Sequence, residues 1–287
     1  MANEGISLNK FISSTGFCSR READKLIEQA RVSINGKLIL HAARVQQGDS
    51  VEIDGEPIKR AKTQRPIYIA FNKPVGITST TDTKDKTNII SAIDHPKRIF
   101  PIGRLDKESD GLIFLTNDGD IVNKILRAGN QHEKEYIVIV DQPITPEFIQ
   151  QMGNGVPILG TVTRKCVVRQ EGNKRFRIVL IQGLNRQIRR MCEHFGYKVT
   201  KLTRTRIMNI TLSGLPVGHW RYFSLPEVDD MMKLVSESSK EDNYEREPIA
   251  PPKKKTVAPK PDKELPQQPP KPAKKKSYKD FRDKRKK

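Results

Sequence analysis

Strand-like and helix-like segments follow one another irregularly along most of the chain, and this order limits the folds that it can adopt. From Pro66 to about Leu234 the strand-like runs outnumber the helical ones, without a repeating strand–helix–strand unit. The strand-like runs are Ile67–Phe71, Gly111–Thr116, Glu135–Val140 and Phe176–Ile181, and the helix-like runs are Ile121–Leu126, Pro146–Met152 and Arg186–Phe195. This pattern favours an α+β domain with a mainly antiparallel mixed sheet, over residues 66–235.

Residues 7–54 have the pattern of a small separate domain with helices and short strands. Ser19 followed three residues later by Glu22 forms the capping box that commonly begins a helix. After that helix an alternating apolar run leads into Asn35-Gly36, a pair typical of a tight turn between two strands. We therefore expect a compact helix-plus-strand unit at this end of the chain.

The solvent side of this N-terminal unit carries several basic residues. They are Arg20, Arg21, Lys25, Arg31 and Lys37. One interpretation is a solvated surface with scattered charges. The other is a phosphate-binding face, because the basic residues concentrate at the helix start and at the turn that follows.

The positive charge of the chain is unevenly distributed. The formal net charge is +19, and from Pro251 to the end fifteen Lys and Arg stand against four Asp and Glu, a net of +11. Residues 236–287 are rich in Ser, Glu, Lys and Pro, which predicts a disordered basic tail attracted to polyanions. The polar residues 55–65, which include Pro57, are expected to form a linker.

Several classes of protein are disfavoured by the composition. No apolar run approaches the roughly 18 residues that a membrane span needs, and MANEGISLNK lacks the apolar core of a signal peptide. The three cysteines, Cys18, Cys166 and Cys192, are far apart and odd in number, so we expect no disulfide framework. The histidines show no metal-ligand spacing. We expect a reduced, cytoplasmic protein without a metal.

Gly103-Arg104-Leu105-Asp106, just before an apolar strand, is the first motif that could support catalysis. Glycine permits a tight bend, and the neighbouring arginine offers a planar cation for a base or a phosphate. Taken alone, Asp106 is more simply explained as a turn residue.

Three further motifs lie around this one. Lys134-Glu135-Tyr136 opens an apolar strand, where Tyr136 could be a core residue or a platform for a base. Phe71–Gly76 ends a strand in a Lys-Pro-x-Gly turn. In the helix that follows Gly183, Arg189 and Arg190 are expected to point away from the apolar face and to form a cationic edge with Arg186. That edge could equally be a phosphate patch without a catalytic part.

The order of these four motifs resembles that of the RsuA/RluA-type pseudouridine synthases. They are Asn72–Gly76, Gly103–Asp106, Lys134–Tyr136 and Asn185–Met191. The N-terminal unit resembles the alpha-L RNA-binding domain that is typical of the RsuA branch. The amino-acid sequence of Leu126–Asn130 and Glu133–Tyr136 is most similar to that of the members that modify 23S rRNA. The resemblance covers about residues 7–235 and omits the tail.

The resemblance implies an isomerase that breaks the N1–C1′ bond of uridine and joins C5 to C1′. Asp106 would act at C1′ as a nucleophile or at C2′ as a base, and the sequence leaves both routes open. Arg189 would pair with Asp106 and keep it ionised. Tyr136 would pack against the uracil, and Arg104 would occupy the space left by the extruded nucleotide. No redox change occurs, so no cofactor is expected.

Other residues would contact RNA without taking part in the chemistry. These are Lys73, Arg186, Arg190, Arg20, Arg21 and Lys25. The expected partner is structured RNA, an rRNA stem-loop with tRNA as a further candidate, bound by a monomer that does not associate with membranes. Two rival functions remain: a non-catalytic rRNA-binding or ribosome-assembly protein, and an RNA N-glycosylase that releases uracil.

Overall fold

The computed structural model describes residues 5–59, 66–126 and 131–236. The chain divides into two units, residues 1–247 and 248–287, and the second lies wholly outside the described residues. The predicted basic tail also lies outside them, except for Ser236, which ends the last helix. No helix in the described part of the chain is long and apolar enough to cross a membrane.

The N-terminal part has two helices packed on short strands. Its elements are β1 (Ile6–Ser7), α1 (Leu8–Ser14), α2 (Arg20–Glu28), β2 (Val32–Ile34), β3 (Lys37–Leu38), β4 (Arg44–Val45), β5 (Val51–Ile53) and β6 (Glu56–Ile58). The capping box is confirmed: the Ser19 side chain accepts from the Glu22 amide, and the Glu22 carboxylate accepts from the Ser19 amide. Asn35 and Gly36 both have positive φ and connect β2 to β3. The helix start and the tight turn predicted from the sequence are therefore both present in the structure.

The boundary of the predicted linker needs a correction. Strand β6 pairs with β5 in the four-stranded sheet ordered β3-β2-β5-β6. The residues expected to begin the linker therefore complete the N-terminal sheet, because the turn at Asp54-Gly55 returns the chain along β5. The remaining residues 60–65 lie outside the described part.

A nine-stranded sheet forms the larger part of the molecule. Its strands are β7 (Tyr68–Lys73), β8 (Phe100–Ile102), β9 (Asp110–Thr116), β10 (Lys134–Val140), β13 (Val167–Gly172), β14 (Arg175–Leu180), β15 (Val199–Ile207), β16 (Ile210–Thr211) and β17 (Trp220–Tyr222). The main order is β13-β14-β10-β15-β9-β7-β17, with β8 on β9 and β16 on β15. Only the β9–β15 pair is parallel among the described pairs, so the predicted mainly antiparallel α+β fold is confirmed.

Helices cover both faces of this sheet. They are α3 (Ile89–Ile93), α4 (Gly119–Leu126), α5 (Pro146–Asn154), α6 (Gln187–His194) and α7 (Leu225–Ser236), and a small hairpin of β11 (Pro157–Ile158) and β12 (Thr161–Val162) follows α5. One apolar core joins the sheet to α3, α5 and α6, and a second joins it to α4 and α7. Strand β9 is central: Ile113 and Leu115 enter the first core, whereas Leu112 and Phe114 enter the second.

Candidate active site

The large sheet is interrupted beside strand β9, where the two strands that pair with one of its edges do not meet. The opposite edge of β9 pairs continuously with β7, from Gly111 to Thr116. On the interrupted edge β15 pairs with β9 only at its start, at Asp110 and Gly111, whereas β8 pairs with its far end, from Phe114 to Thr116. Gly111 permits the close approach of β15, because a Cβ there would overlap the Arg204 carbonyl oxygen and lie 2.7 Å from its amide nitrogen. A gap is therefore left between β15 and β8.

A cavity of about 440 Å³ occupies this gap. Its wall includes Arg104, Asp106 and Ser109 from the loop before β9, Lys134 and Tyr136 from β10, Asn185, Arg186 and Arg189 from the start of α6, and Arg204 from β15. Apolar side chains such as Phe114, Leu180 and Leu202 complete it. The volume lies in the range typical of sites for small ligands. The cavity can therefore accept one nucleoside-sized group.

The loop that carries Asp106 is held in place by backbone contacts. The Ser109 amide donates to the Asp106 carbonyl oxygen at 3.0 Å, which closes a turn. Buried Ser79 brackets the preceding residue: its Oγ donates to the Leu105 carbonyl oxygen at 2.8 Å and accepts from the Leu105 amide at 3.1 Å. The catalytic candidate thus stands on a fixed segment, and Ser79 was not singled out by the sequence.

Lys73 needs a correction as a predicted RNA contact. Its side chain is fully buried, and Nζ donates to the carbonyl oxygens of Pro74 and Ile77, at 2.9 Å each. Burial lowers the pKa of Lys73 to about 8. Inside the same turn, the Gly76 amide donates to the Lys107 carbonyl oxygen at 2.8 Å. Lys73 therefore stabilises the turn that docks on the Asp106 loop, and its ammonium is not available to a ligand.

Two guanidinium groups from α6 approach the Asp106 carboxylate. The distance from Asp106 Oδ2 is 3.6 Å to Arg186 Nη1 and 3.8 Å to Arg189 Nε. Glu108 competes for the same groups, at 3.0 Å from Arg186 Nη1 and 3.6 Å from Arg189 Nε. The Asp106 side chain remains 33% exposed, so one side of its carboxylate is open. This arrangement places a partly exposed carboxylate on the cavity wall, beside two positive charges.

The expectation that Arg189 would lie on an outer cationic edge is wrong. Arg189 is buried, donating through Nη2 to Ser109 Oγ at 3.1 Å and through Nη1 to the Val199 carbonyl oxygen at 3.3 Å. The reason is that the Asp106 loop and β15 cover this side of α6, which the helix periodicity alone does not show. Arg190 is only half-buried and donates to the carbonyl oxygen of Asn185, at 3.1 Å.

Tyr136 faces the cavity together with two cations that the sequence did not indicate. The burial pattern of β10 alternates, so Lys134 and Tyr136 share its buried face. Arg204 lies opposite Tyr136 in the sheet, with its guanidinium carbon 6.0 Å from the centre of the tyrosine ring. Burial, followed by the charge of Arg204, lowers the pKa of Lys134 to about 8. The alternation of the strand would have placed Lys134 beside Tyr136, but no local pattern points to Arg204.

The other predicted RNA-contact residues lie farther from this chemistry. Arg104 is exposed at the cavity wall, one residue before Leu105. Arg20, Arg21 and Lys25 are exposed on α2, and none of the three lines the cavity. They belong to the N-terminal part, which contacts α4 through a salt bridge between Lys10 and Asp120. The structure thus separates the cavity residues from the basic helix.

Comparisons with known proteins agree with both parts of the chain. The family model described as RNA pseudouridylate synthase matches residues 67–194, and the model of the S4 domain matches residues 7–51. The chain is 58% identical to the dual-specificity RNA pseudouridine synthase RluF of Escherichia coli strain K12, over 84% of this chain and 83% of that protein. It is 30% identical to ribosomal large subunit pseudouridine synthase B of Bacillus subtilis strain 168, over 79% and 96%.

A solved structure is similar as well. The crystal structure of a pseudouridylate synthase superimposes with a TM-score of 0.58 at 25% identity, covering 80% of this chain and 99% of that one. These similarities confirm the resemblance found in the sequence. The chain belongs to the RNA pseudouridylate synthase family, in which it combines an RNA-binding S4 domain with the isomerase domain.

Proposed function

We propose that this enzyme converts a specific uridine of 23S rRNA to pseudouridine and accepts a tRNA as a second substrate. Two relatives support the choice of RNA: one is named as acting on the large ribosomal subunit, and the more similar one as dual-specific. The observation that carries the chemistry is the position of Asp106. Its half-open carboxylate stands at the mouth of a nucleoside-sized cavity, beside two guanidinium groups.

Asp106 is the proposed catalytic group. In one route its carboxylate attacks C1′ while the N1–C1′ bond breaks, and in the other it removes the 2′ proton. In either route Arg186 and Arg189 place positive charge 3.6 and 3.8 Å from that carboxylate, where it attracts the negative charge of the side chain. Because Ser79 and Ser109 fix the loop, little reorganisation is needed before the reaction.

Tyr136 and Arg104 are proposed to handle the base. A nucleotide within a folded RNA must leave its stack to reach Asp106, which costs a few kcal/mol. Arg104, exposed beside the mouth, would enter the vacated space. Tyr136 would pack its ring against the uracil and hold it while the ring turns, since its side chain lies on the cavity wall.

The position of Glu108, the second carboxylate near the site, supports an isomerase rather than an N-glycosylase. Hydrolysis of glycosidic bonds commonly uses two carboxylates, one of which directs a water or acts as the acid. Glu108 is 59% exposed, is held by Arg186 at 3.0 Å, and is not part of the cavity wall. No second carboxylate among the described residues lines the cavity beside Asp106. Free uracil and an abasic site in the product would favour the glycosylase instead.

RNA recognition is assigned to surfaces outside the cavity. Arg20, Arg21 and Lys25 on α2 provide phosphate contacts, which position an RNA without reading its sequence. The basic tail adds non-specific attraction through its net charge of +11 over residues 251–287. We infer that a monomer carries out this recognition in the cytoplasm, where its RNA substrates are made.

Pseudouridine mapping of cellular rRNA and tRNA, with and without this protein, tests the proposal. The expected result is the loss of pseudouridine at a defined site in 23S rRNA, and at a site in a tRNA, when the protein is absent. Restoring the wild-type chain should restore both. Unchanged pseudouridine at every mapped position would contradict the proposed substrate.

A further inference from the structure

Lys134 and Arg204 are cations buried without an anionic partner. Both are more than nine-tenths buried, and neither forms a salt bridge within the part of the chain that the structure describes. Lys134 Nζ donates to the His132 carbonyl oxygen at 3.1 Å, and Arg204 Nε donates to the Leu112 carbonyl oxygen at 2.6 Å. Arg204 Nη2 is buried and has no hydrogen-bond partner. The tertiary structure therefore buries two basic groups, and no described carboxylate lies within salt-bridge distance of either to balance its positive charge.

Both cations belong to the wall of the same cavity. Lys134 lies two residues from Tyr136 on one face of β10, and Arg204 is the partner of Tyr136 across the β10–β15 pair. The tyrosine ring and the two cations thus form a continuous patch of the sheet, which we call the cationic floor. Asp106 lies on a different part of the wall, in the loop before β9.

Burying unpaired charge is costly, and such groups commonly mark a site where a ligand supplies the missing charge. The lowered pKa of Lys134 reports the same cost, because burial and the nearby guanidinium both disfavour its charged form. An anion that reaches the cavity would relieve this cost. The floor therefore indicates a ligand, or a stage of the reaction, that carries negative charge.

The proposed reaction generates such a charge. When the N1–C1′ bond breaks, its electron pair remains on N1 and spreads to the O2 and O4 oxygens of the ring. C5 then bonds to C1′, Asp106 is released or returns its proton, and the proton lost from C5 is balanced by one gained at N1. We propose that Lys134 and Arg204 bind the detached uracil as an anion, through its carbonyl oxygens. This inference rests on the proposal that the target uridine enters this cavity.

The decisive test compares two leaving groups under single turnover at saturating RNA. The variant is Lys134→Met, and the substrates carry uridine or 5-fluorouridine at the target position. Fluorine withdraws electrons, so the detached ring needs less help from a cation. With uridine the rate of bond cleavage should fall roughly 10²-fold, as when one donor to a developing anion is removed. With 5-fluorouridine the fall should be clearly smaller, and Lys134→Arg should recover part of the rate.

Three controls separate this role from others. Thermal unfolding checks that Lys134→Met is folded, which is expected because the substitution removes a buried charge. Lys198→Met removes an exposed positive charge outside the cavity wall and should not distinguish the two substrates. RNA affinity should be unchanged in Lys134→Met.

Several results would contradict the proposed role of the cationic floor in binding the detached uracil. Equal losses of rate on both substrates would indicate a structural role, and weaker RNA binding with a normal saturating rate would indicate a phosphate contact. An unchanged rate would show that Lys134 takes no part. A wild-type enzyme that fails to convert uridine at all would instead refute the proposed function on which the inference rests.

Discussion

Replacement of Ser79 by alanine should loosen the loop that presents Asp106. The Ser79 hydroxyl makes two buried hydrogen bonds to the backbone of Leu105, at 2.8 and 3.1 Å. At roughly 1 kcal/mol of net stability for each neutral hydrogen bond, their loss costs about 2 kcal/mol. For a domain of this size that corresponds to a fall in Tm of about 4–8 °C.

The same loss should appear in catalysis, because the loop must return to its position before Asp106 can react. At 1.36 kcal/mol for each factor of ten, about 2 kcal/mol limits the decrease in rate to roughly thirtyfold. Single-turnover pseudouridine formation at saturating RNA measures it, with RNA affinity expected to remain unchanged. Ser79→Thr retains the hydroxyl and should recover most of the rate. A Ser79→Ala enzyme with wild-type rate and Tm would refute the reasoning.

Three other predictions concern the fold, a buried charge and the tail. Gly111→Ala should destabilise the protein by roughly 3 kcal/mol in a denaturant titration, because φ is +108° and a Cβ would overlap the Arg204 carbonyl oxygen. Gly160 also has positive φ but lies in open space, so Gly160→Ala should cost only about 1–2 kcal/mol. Equal costs for the two variants would contradict the close approach of β15 to Gly111. Lys134→Met should be more stable than wild type by up to about 3 kcal/mol near pH 7, because the pKa is lowered from 10.5 to about 8. Between about pH 8 and 10.5 Lys134 is protonated in the unfolded state but not in the native state, so the stability of the wild type rises with pH. The stability advantage of the variant should therefore disappear near pH 10.5. A stability difference that does not change with pH would show that the buried charge is not its cause. Deleting residues 251–287, net charge +11, should weaken RNA binding more at low salt than at high salt without changing the modified site, and a changed site would argue against non-specific attraction.

Local patterns in the sequence predict local structure well in this protein. The capping box at Ser19 and the turn at Asn35-Gly36 form as expected because their contacts join residues a few positions apart. The mainly antiparallel sheet is also readable, since strand-like runs are frequent and irregular in order. The apolar pattern does not predict strand β15, because polar residues within Val199–Ile207 interrupt it.

Burial of charged residues could not be predicted from the same patterns. The sequence predicts Lys73 as an RNA contact and Arg189 as part of an exposed cationic edge. Instead, Lys73 Nζ is enclosed by the carbonyl oxygens of its own turn, and Arg189 by contacts with Ser109 and Val199. Ser79 and Arg204 reach the site from 26 and 92 residues away from their partners in the chain, so no spacing connects them to Asp106 beforehand. The motif order located the site, whereas the three-dimensional structure was needed to find what supports it.

The central claim is that the carboxylate of Asp106 performs the chemistry. Asp106→Asn preserves the shape of the side chain and removes its negative charge. The measurement is pseudouridine formation in the target RNA by this variant, together with its RNA affinity. The account predicts that RNA binding is retained and that no pseudouridine forms. Conversion of uridine by Asp106→Asn at a rate comparable to wild type would contradict it.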